Sequence, residues 1–320
     1  MSVNVKAALQ TIFRNWRDDV MNGGMMNASA AIWPMVAAKI PVEGSYTLFS
    51  WFFDAAMPRE WLGPKKMNNA SSMSWPVYTK DYELSYQFSG REIADDTTGG
   101  ISRLVDGLKN STAKWEQFLD YIVAQRLEAA ASTLCYDGQN LADDAHPNDV
   151  DGVGTATTFD NYLSIALTVP NLNTALLAMK SEMRQPNGLP VVPSGPITLM
   201  VPPSLELTAK QATYEGLASY AAANGLAAAN AQSPVTLIDQ VVYKVNPYLN
   251  LAGTRPNAWY LLRPIGQQMP FVAAVRQDRE PWMLDYDSEE YLKTGQISFG
   301  STMRFDIAPM EPRCILVSEP

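Results

Sequence analysis

Residues 77–88 alternate with a period of two, and this run limits what the chain can fold into more than any other. Tyr78, Tyr82, Leu84, Tyr86 and Phe88 fall on one side; Thr79, Asp81, Glu83, Ser85 and Gln87 fall on the other. Successive side chains of a strand point to opposite faces, so the pattern predicts a strand with one aromatic face and one polar face. Upstream, residues 67–73 are small and polar, like the tip of a long hairpin. A two-stranded hairpin is marginal in water by itself. If this one projects from the body, its aromatic face has to find cover elsewhere.

A second alternation closes the chain. Ile297, Phe299, Met303, Phe305 and Ile307 alternate with Gln296, Ser298, Thr302, Arg304 and Asp306, which predicts a long half-buried strand. Residues 271–275 read as another strand, residues 280–291 are acidic and aromatic, and 315–317 are apolar. Helical spacing appears at Trp115, Phe118, Leu119, Ile122, Val123 and Leu127. It predicts one helix over about residues 112–134, roughly 34 Å long at 1.5 Å per residue. The preceding pattern of Ile101, Leu104, Val105 and Leu108 is interrupted by Gly107 and Asn110-Ser111, which offers a new N-cap. Residues 133–154 read as a polar loop. From 159 to 264 the texture alternates: a helix around Leu172–Met183, a strand at 197–201, a helix from Ser204, and strands at 235–245 and 259–262. That alternation predicts a mixed unit of helices and strands inserted into the chain.

At the N-terminus, Val5, Ala8, Leu9, Ile12, Phe13, Trp16 and Val20 share one helical face, ended by Asn22-Gly23-Gly24. The Phe13 and Trp16 face packs either on the chain's own body or on a neighbour, and both readings stay open. Residues 25–50 are small, apolar and broken by Pro34 and Pro41, as in an extended arm. Trp51-Phe52-Phe53 and Trp61 then cluster around Arg59-Glu60. They read either as plain core or as an inter-subunit anchor, since aromatics and arginine are enriched at interface centres. The candidate inter-subunit contacts are therefore Phe13, Trp16, Trp51, Arg59, Glu60, Trp61, Tyr78, Tyr82, Tyr86 and Phe88.

Catalytic chemistry finds little to use. The single histidine, His146, lies among Asp143, Asp144, Pro147 and Asp149 and reads as a turn element. Metal sites need several ligands at defined spacing, and residues 147–158 fail as a calcium loop because Pro147 and Thr158 stand where carboxylates are required. Asp95-Asp96, adjacent on a strand, would face opposite ways, so N-capping of the next helix is the better reading. No nucleophile elbow, phosphate-binding loop or dinucleotide fingerprint occurs. The reading is a protein that is not an enzyme and takes no metal or cofactor. Cys135 and Cys314 give no disulfide framework and read as buried thiols made in a reducing compartment. No apolar run approaches the ~20 residues of a membrane span, so a soluble chain without a membrane partner is expected. Charged residues are 18% of the 320, below the usual ~25%, as in a subunit enclosed by neighbours or in a monomer with a large core. Net charge is −9, which argues against tight nucleic-acid binding.

The ordered series of 57–63, 82–100 with Arg91-Glu92-Ile93-Ala94-Asp95-Asp96, and 134–147 with Cys135-Tyr136-Asp137-Gly138-Gln139 and His146-Pro147 resembles the major head subunit family of Mu-like tailed phages. The resemblance runs from about Trp33 to Phe305, more loosely through 199–203 and 296–300. It departs at Asn140-Leu141-Ala142 and in the C-terminal tail. It implies an α+β fold, the Hong Kong 97-type tailed-phage capsid fold. In those terms, 1–54 would be an N-terminal arm, 55–93 the extended loop, 94–160 and 265–320 a peripheral domain with a spine helix, and 161–264 the axial domain. It implies a major capsid protein that forms pentamers and hexamers, with portal, scaffold and decoration proteins as partners. The shell would enclose double-stranded DNA without sequence-specific binding, in the virion capsid, after assembly in the bacterial host cytoplasm. Some relatives crosslink a hairpin lysine, but Lys65, Lys66 and Lys80 match no such motif, so noncovalent closure is expected. Two rivals remain: a nanocompartment shell of related fold, and a soluble carboxylate-dependent enzyme with a pocket near Asp95 or His146.

Overall fold

The computed structural model describes residues 31–53, 71–89, 100–148, 157–185, 189–192, 194–215, 241–266, 268–284 and 287–320, with single residues 10, 11, 13, 14, 17, 60 and 91. In chain order, β1 (Ala37–Pro41), β2 (Tyr46–Phe53), β3 (Ser71–Tyr78) and β4 (Lys80–Ser89) precede the helix α1 (Gly100–Glu128). Short strands β5 (His146–Pro147), β6 (Thr158–Phe159) and β7 (Tyr162–Leu163) lead to α2 (Val169–Ser181), β8 (Ile197–Val201), α3 (Glu206–Lys210), β9 (Val241–Val245) and β10 (Trp259–Leu262). The chain ends with β11 (Phe271–Leu284), α4 (Glu289–Thr294), β12 (Gln296–Pro309) and β13 (Ile315–Ser318). Among the described residues the strands form a four-stranded sheet, β1-β11-β12-β4, a five-stranded sheet, β7-β13-β10-β8-β9, and the pairs β2-β3 and β5-β6.

The layers follow from which faces are apolar. Trp115, Leu119, Ile122, Val123 and Leu127 of α1 share one core with Phe271, Ala273, Val275, Met303, Phe305 and Ile307 of the four-stranded sheet. The same core takes Met200, Tyr260, Leu262, Ile315 and Val317 from the five-stranded sheet. The opposite face of that sheet, with Leu199, Trp259, Leu261 and Leu316, packs on Leu172, Ala175, Leu176 and Met179 of α2. Covered on both sides, β8 is buried at every position, which is why 197–201 is apolar throughout rather than alternating. The outer face of the four-stranded sheet, Val272, Ala274 and Ala308, meets Val42 and Val77. Gly300 sits where β12 runs tight against β4 and Trp282: a Cβ there would lie 2.5 Å from the Leu84 carbonyl oxygen and 2.9 Å from the Trp282 ring.

Several expectations are corrected. The helix α1 begins at Gly100 and runs through Gly107 and Asn110-Ser111. A mid-helix glycine costs ~1 kcal/mol, small beside the ~1.5–3 kcal/mol gained by each large side chain buried. It stops at Glu128 because the hydroxyls of Ser132 and Thr133 both donate to the Ala129 carbonyl, at 3.0 and 2.9 Å, and favour a tight turn. Residues 77–88 are not one strand: the ladder breaks at Thr79, where β3 pairs with β2 and β4 pairs with β12. The hairpin therefore spans Tyr46–Tyr78, not 55–93, and takes its first strand from the expected arm. β11 continues to Leu284, past the Arg276–Glu280 bulges and Pro281. Only residues 271–275 of β11 pair with β1, so Pro281 loses no partner for its missing N–H on that edge. β13 lies inside the five-stranded sheet between β7 and β10. Sheet membership thus joins 315–318 to the 161–264 unit rather than to the expected peripheral unit.

Three buried ionic side chains tie these layers together. Arg313 donates to Glu311 Oε1 (3.0 Å), the Tyr136 hydroxyl (3.2 Å), the Asn148 carbonyl (2.8 Å) and the Arg184 carbonyl (3.0 Å). Arg263 donates to the carbonyls of Arg313 (2.8 Å) and Met179 (2.6 Å). Burial lowers the Arg263 guanidinium to about 10. Burial opposes the charge of Arg313 too, but Glu311 and then Tyr136 raise it above its ordinary range.

The stretch before β1 is clamped to α1 by carboxylates. Asp120 Oδ1 accepts from the amides of Ile32 (2.9 Å) and Trp33 (2.7 Å), and Glu116 accepts from the Trp33 indole N–H at 2.7 Å. Burial, only partly offset by those two amides, raises Asp120 from 3.8 to about 6. The docked state thus binds this proton more tightly than the unfolded chain does. Its contribution is fully present below about pH 4, is lost as pH rises through about 6, and amounts to ~2–3 kcal/mol. Asp120→Asn should flatten the decline in stability between those two pH values, measured by denaturant unfolding; an unchanged slope would contradict the assignment.

Candidate assembly surface

The hairpin root has two unlike faces. In the β2–β3 register Tyr46 stands opposite Tyr78 and Leu48 opposite Pro76, while Thr47 faces Val77 and Phe49 faces Trp75. The second set points inward: Val77 is 2% exposed, and Phe49 and Trp75 pack against the cluster on the outer face of the four-stranded sheet. The first set points outward. Tyr46, Leu48 and Tyr78 are 55%, 56% and 62% exposed, and the two tyrosine rings lie 6.0 Å apart. Scattered exposed apolar residues are ordinary, whereas adjacent ones on one face of a strand pair make a candidate interaction surface.

Of the residues singled out from sequence, Tyr78 is on this outward face. Tyr82, Tyr86 and Phe88 are not, which corrects the reading of one continuous aromatic ribbon. Crossing into the four-stranded sheet gives them cover within the chain. Tyr82 packs on Phe305 (ring centroids 4.8 Å apart) and Phe118 (5.1 Å). Tyr86 and Phe88 both stack on Phe299, at 5.7 and 5.3 Å, and the Tyr86 hydroxyl accepts from Lys114 at 2.9 Å. The switch is made at Thr79, whose amide donates to the Ser45 carbonyl at 3.0 Å. Trp51 pairs with Met73 in the hairpin ladder. Glu60 is exposed, and Phe13 is half-buried on a helical segment. Trp16, Arg59 and Trp61 lie outside the described residues. Nothing in the sequence marks the outward pair Tyr46 and Leu48, because residues 46–49 read as part of a plain arm.

Beside the hairpin root lies a cleft of about 470 Å³ lined by Lys80, Tyr82, Ile122, Gln125, Arg126, Glu128 and Ala129. Asp306 is approached by Arg126 at 2.8 Å and by Lys80 at 3.6 Å. Burial and then Asp306 raise the Tyr82 hydroxyl, against the pull of Arg126. Glu128 accepts from the Asn250 amide, and Gln125 donates to the Tyr121 hydroxyl at 2.5 Å.

His146 is not the turn element expected. It is fully buried in β5, with Nδ1 2.6 Å from Asp137 Oδ2 and its ring stacked on Phe159 at 5.0 Å. A residue closed off in this way offers no pocket to a substrate, and Asp95 lies outside the described residues. Among the described residues no group of three or more His, Cys, Asp or Glu is arranged to hold a metal. Cys135 and Cys314 are both buried thiols, raised well above the ordinary range by burial and then by Asp137 and Glu311 respectively. Among the described residues no helix is long and apolar enough to cross a membrane.

Residues 9–166 match the family described as Mu-like prophage major head subunit gpT. The chain is similar to the major capsid protein of Escherichia phage Mu, 24% identical over 159 residues, which covers 49% of this chain and 50% of that protein. It spans about half the length of the curated relatives it matches. Among solved structures it is similar to the procapsid subunit of bacteriophage JBD30, with TM-score 0.55, 19% identity, and coverage of 98% of this chain and 74% of that one. The capsid subunit of cyanophage Pam1 superposes with TM-score 0.56 at 9% identity, over 88% and 87% of the two chains. These likenesses show the fold: that of tailed-phage capsid proteins, the Hong Kong 97 type.

The two faces of the hairpin should respond oppositely to truncation. Tyr78→Ser, on the outward face, is expected to change unfolding stability by less than ~0.5 kcal/mol, whereas Trp75→Ala should cost roughly 3 kcal/mol. Chemical denaturation of the dispersed chain measures both; equal losses would mean that the faces are not distinct.

Proposed function

We propose that this chain, whose residues 9–166 match the Mu-like major head subunit family, is a major capsid protein. In this reading it is a structural subunit that self-assembles into the pentamers and hexamers of a tailed-phage head. The observation that carries the reading is the outward hairpin face. The sheets around α1 bury their apolar faces within the chain, while Tyr46, Leu48 and Tyr78 do not. A shell of many identical copies needs such projecting, heterologous contacts, and a neighbouring copy supplies their cover.

The parts take the following roles in this proposal. The hairpin 46–78 is the extended loop laid over a neighbour, α1 is the spine helix, and the four-stranded sheet with α1 is the peripheral domain. The five-stranded sheet, including 315–318, with α2 and α3 is the axial domain. Tyr78 is joined by Tyr46 and Leu48 as contacts, with Trp51, Arg59, Glu60 and Trp61 along or near the hairpin, and Phe13 and Trp16 on the N-terminal segment. Portal, scaffold and decoration proteins are the further partners. With 24 basic against 33 acidic residues, the shell encloses double-stranded DNA in the virion without gripping it, since tight binding rests on many cationic contacts. Assembly takes place in the bacterial host cytoplasm and involves no catalysis.

Electron microscopy of the purified chain tests this directly. Closed shells are expected from the natural sequence, and single folded subunits from a Tyr46→Ser, Tyr78→Ser double variant. A natural chain that stays single at high concentration would contradict the proposal, and shells filled with protein cargo would favour a nanocompartment.

A further inference from the structure

We propose that Tyr46 and Tyr78 form an oxidative crosslinking site: one-electron oxidation of the unassembled chain joins their two phenol rings by a carbon–carbon bond and staples the hairpin at its root. The coupling stands on the hairpin geometry alone. Its closure on assembly rests on reading the chain as a shell subunit.

The backbone holds the two rings side by side. Tyr46 and Tyr78 are directly opposite in the β2–β3 ladder. Just past the end of that ladder, the Thr79 amide donates to the Ser45 carbonyl at 3.0 Å, and the Thr79 hydroxyl donates to the same oxygen at 3.2 Å. Ser45 and Thr79 are therefore a hydrogen-bonded pair. Such pairs alternate along an antiparallel ladder with non-hydrogen-bonded ones, so Tyr46 and Tyr78 occupy the closer kind, with Cα atoms ~4.5 Å apart. Pro76, opposite Leu48, falls in the same phase, where the N–H it lacks would point away from the partner strand. Val77, packed inward beside Tyr78, anchors the strand from the other face.

The rings themselves are open. They are 55% and 62% exposed, their centroids lie 6.0 Å apart, and their planes are tilted by 35°. Rotation about the side-chain torsions of exposed residues brings the ring edges together without moving the backbone. Tyr121 and Tyr248 are almost as near, at 6.1 Å, but they stand edge to face at 81° and are half-buried. Tyr82 and Tyr86 pack on phenylalanines.

The chemistry balances with a peroxide as oxidant. Each phenol gives up one electron and its hydroxyl proton and becomes a phenoxyl radical, whose unpaired spin lies partly on the carbons ortho to oxygen. Two ortho carbons bond, and the hydrogen on each moves to its own oxygen as the ring regains aromaticity. The pair has then lost two electrons and two protons. Hydrogen peroxide, acting through a peroxidase, accepts both and leaves as two molecules of water.

Treating the dispersed full-length chain with hydrogen peroxide and a peroxidase at low protein concentration tests the site, read by dityrosine fluorescence, intact mass and peptide mapping. Trypsin cuts after Lys39, Arg59, Lys66 and Lys80, so the two tyrosines fall on separate peptides. The expected product is a single chain lighter by two hydrogen atoms, with those two peptides joined. Tyr46→Phe and Tyr78→Phe should each lose the joined pair, whereas Tyr121→Phe should keep it. Circular dichroism establishes that each variant folds, and coupling of free tyrosine in the same solution establishes that the oxidant acts. No joined pair in the oxidised natural chain, or one that survives Tyr46→Phe, would overturn the proposal. Assembled shells should yield little of the pair. Shells that yield as much as the dispersed chain would contradict the cover supplied by a neighbour and leave the crosslinking site standing.

Discussion

The Glu311–Arg313 pair is the interaction on which the rest of the structure depends. Both side chains are nearly solvent-free, at 2% and 6% exposure. Ions so placed are tolerable only when attraction and hydrogen bonds offset lost hydration, and removing one partner typically costs ~3–5 kcal/mol. Here the compensation is supplied by parts distant in sequence, Tyr136 and Asn148 after the long helix and Arg184 after α2, while Arg263 after β10 ties the Arg313 backbone carbonyl. The network forms only when these segments have all arrived. It directs β13 into the five-stranded sheet, where Ile315 and Val317 face one core and Leu316 the other.

Once the sheets are latched around α1, most of the apolar surface is accounted for inside one chain. The aromatic strand β4 spends its side chains on Phe118, Phe299 and Phe305. Among the described residues, the exposed side chains that stand opposite one another on one strand pair are those of the neighbouring hairpin, Tyr46 and Tyr78 with Leu48 beside them, beyond the break at Thr79. That break divides the four-stranded sheet from a strand pair with one covered and one open face. A shell subunit needs both: a body that keeps its shape and a surface completed by another copy.

Much of this was legible in the chain itself. The closing alternating run is a strand, the run at 77–88 is extended but split between two strands, the apolar pattern around Trp115–Leu127 is a helix, and 197–201 and 259–262 are buried strands. The family resemblance carried the fold. Register was not legible. Alternation is continuous through Thr79, and nothing local says that its two halves pair in different sheets. The full length of β11 is hidden because Arg276–Pro281 look unlike a strand; they are tolerated where the strand has lost its outer neighbour. His146 looked like a loop residue because its neighbours are Asp and Pro, and only the tertiary fold brings Phe159 over its ring. Tyr46 and Leu48 were hidden by the same limit, since exposure depends on which face of the hairpin the sheet takes.

Covalent footprinting of tyrosines in the dispersed chain and in assembled particles tests the central claim most directly. The account predicts that Tyr46 and Tyr78 are modified readily in the dispersed chain and are protected after assembly, while Tyr260, buried in both, is protected throughout. Equal modification of Tyr46 and Tyr78 in the two states would contradict it, because the outward face would then remain uncovered in the finished particle.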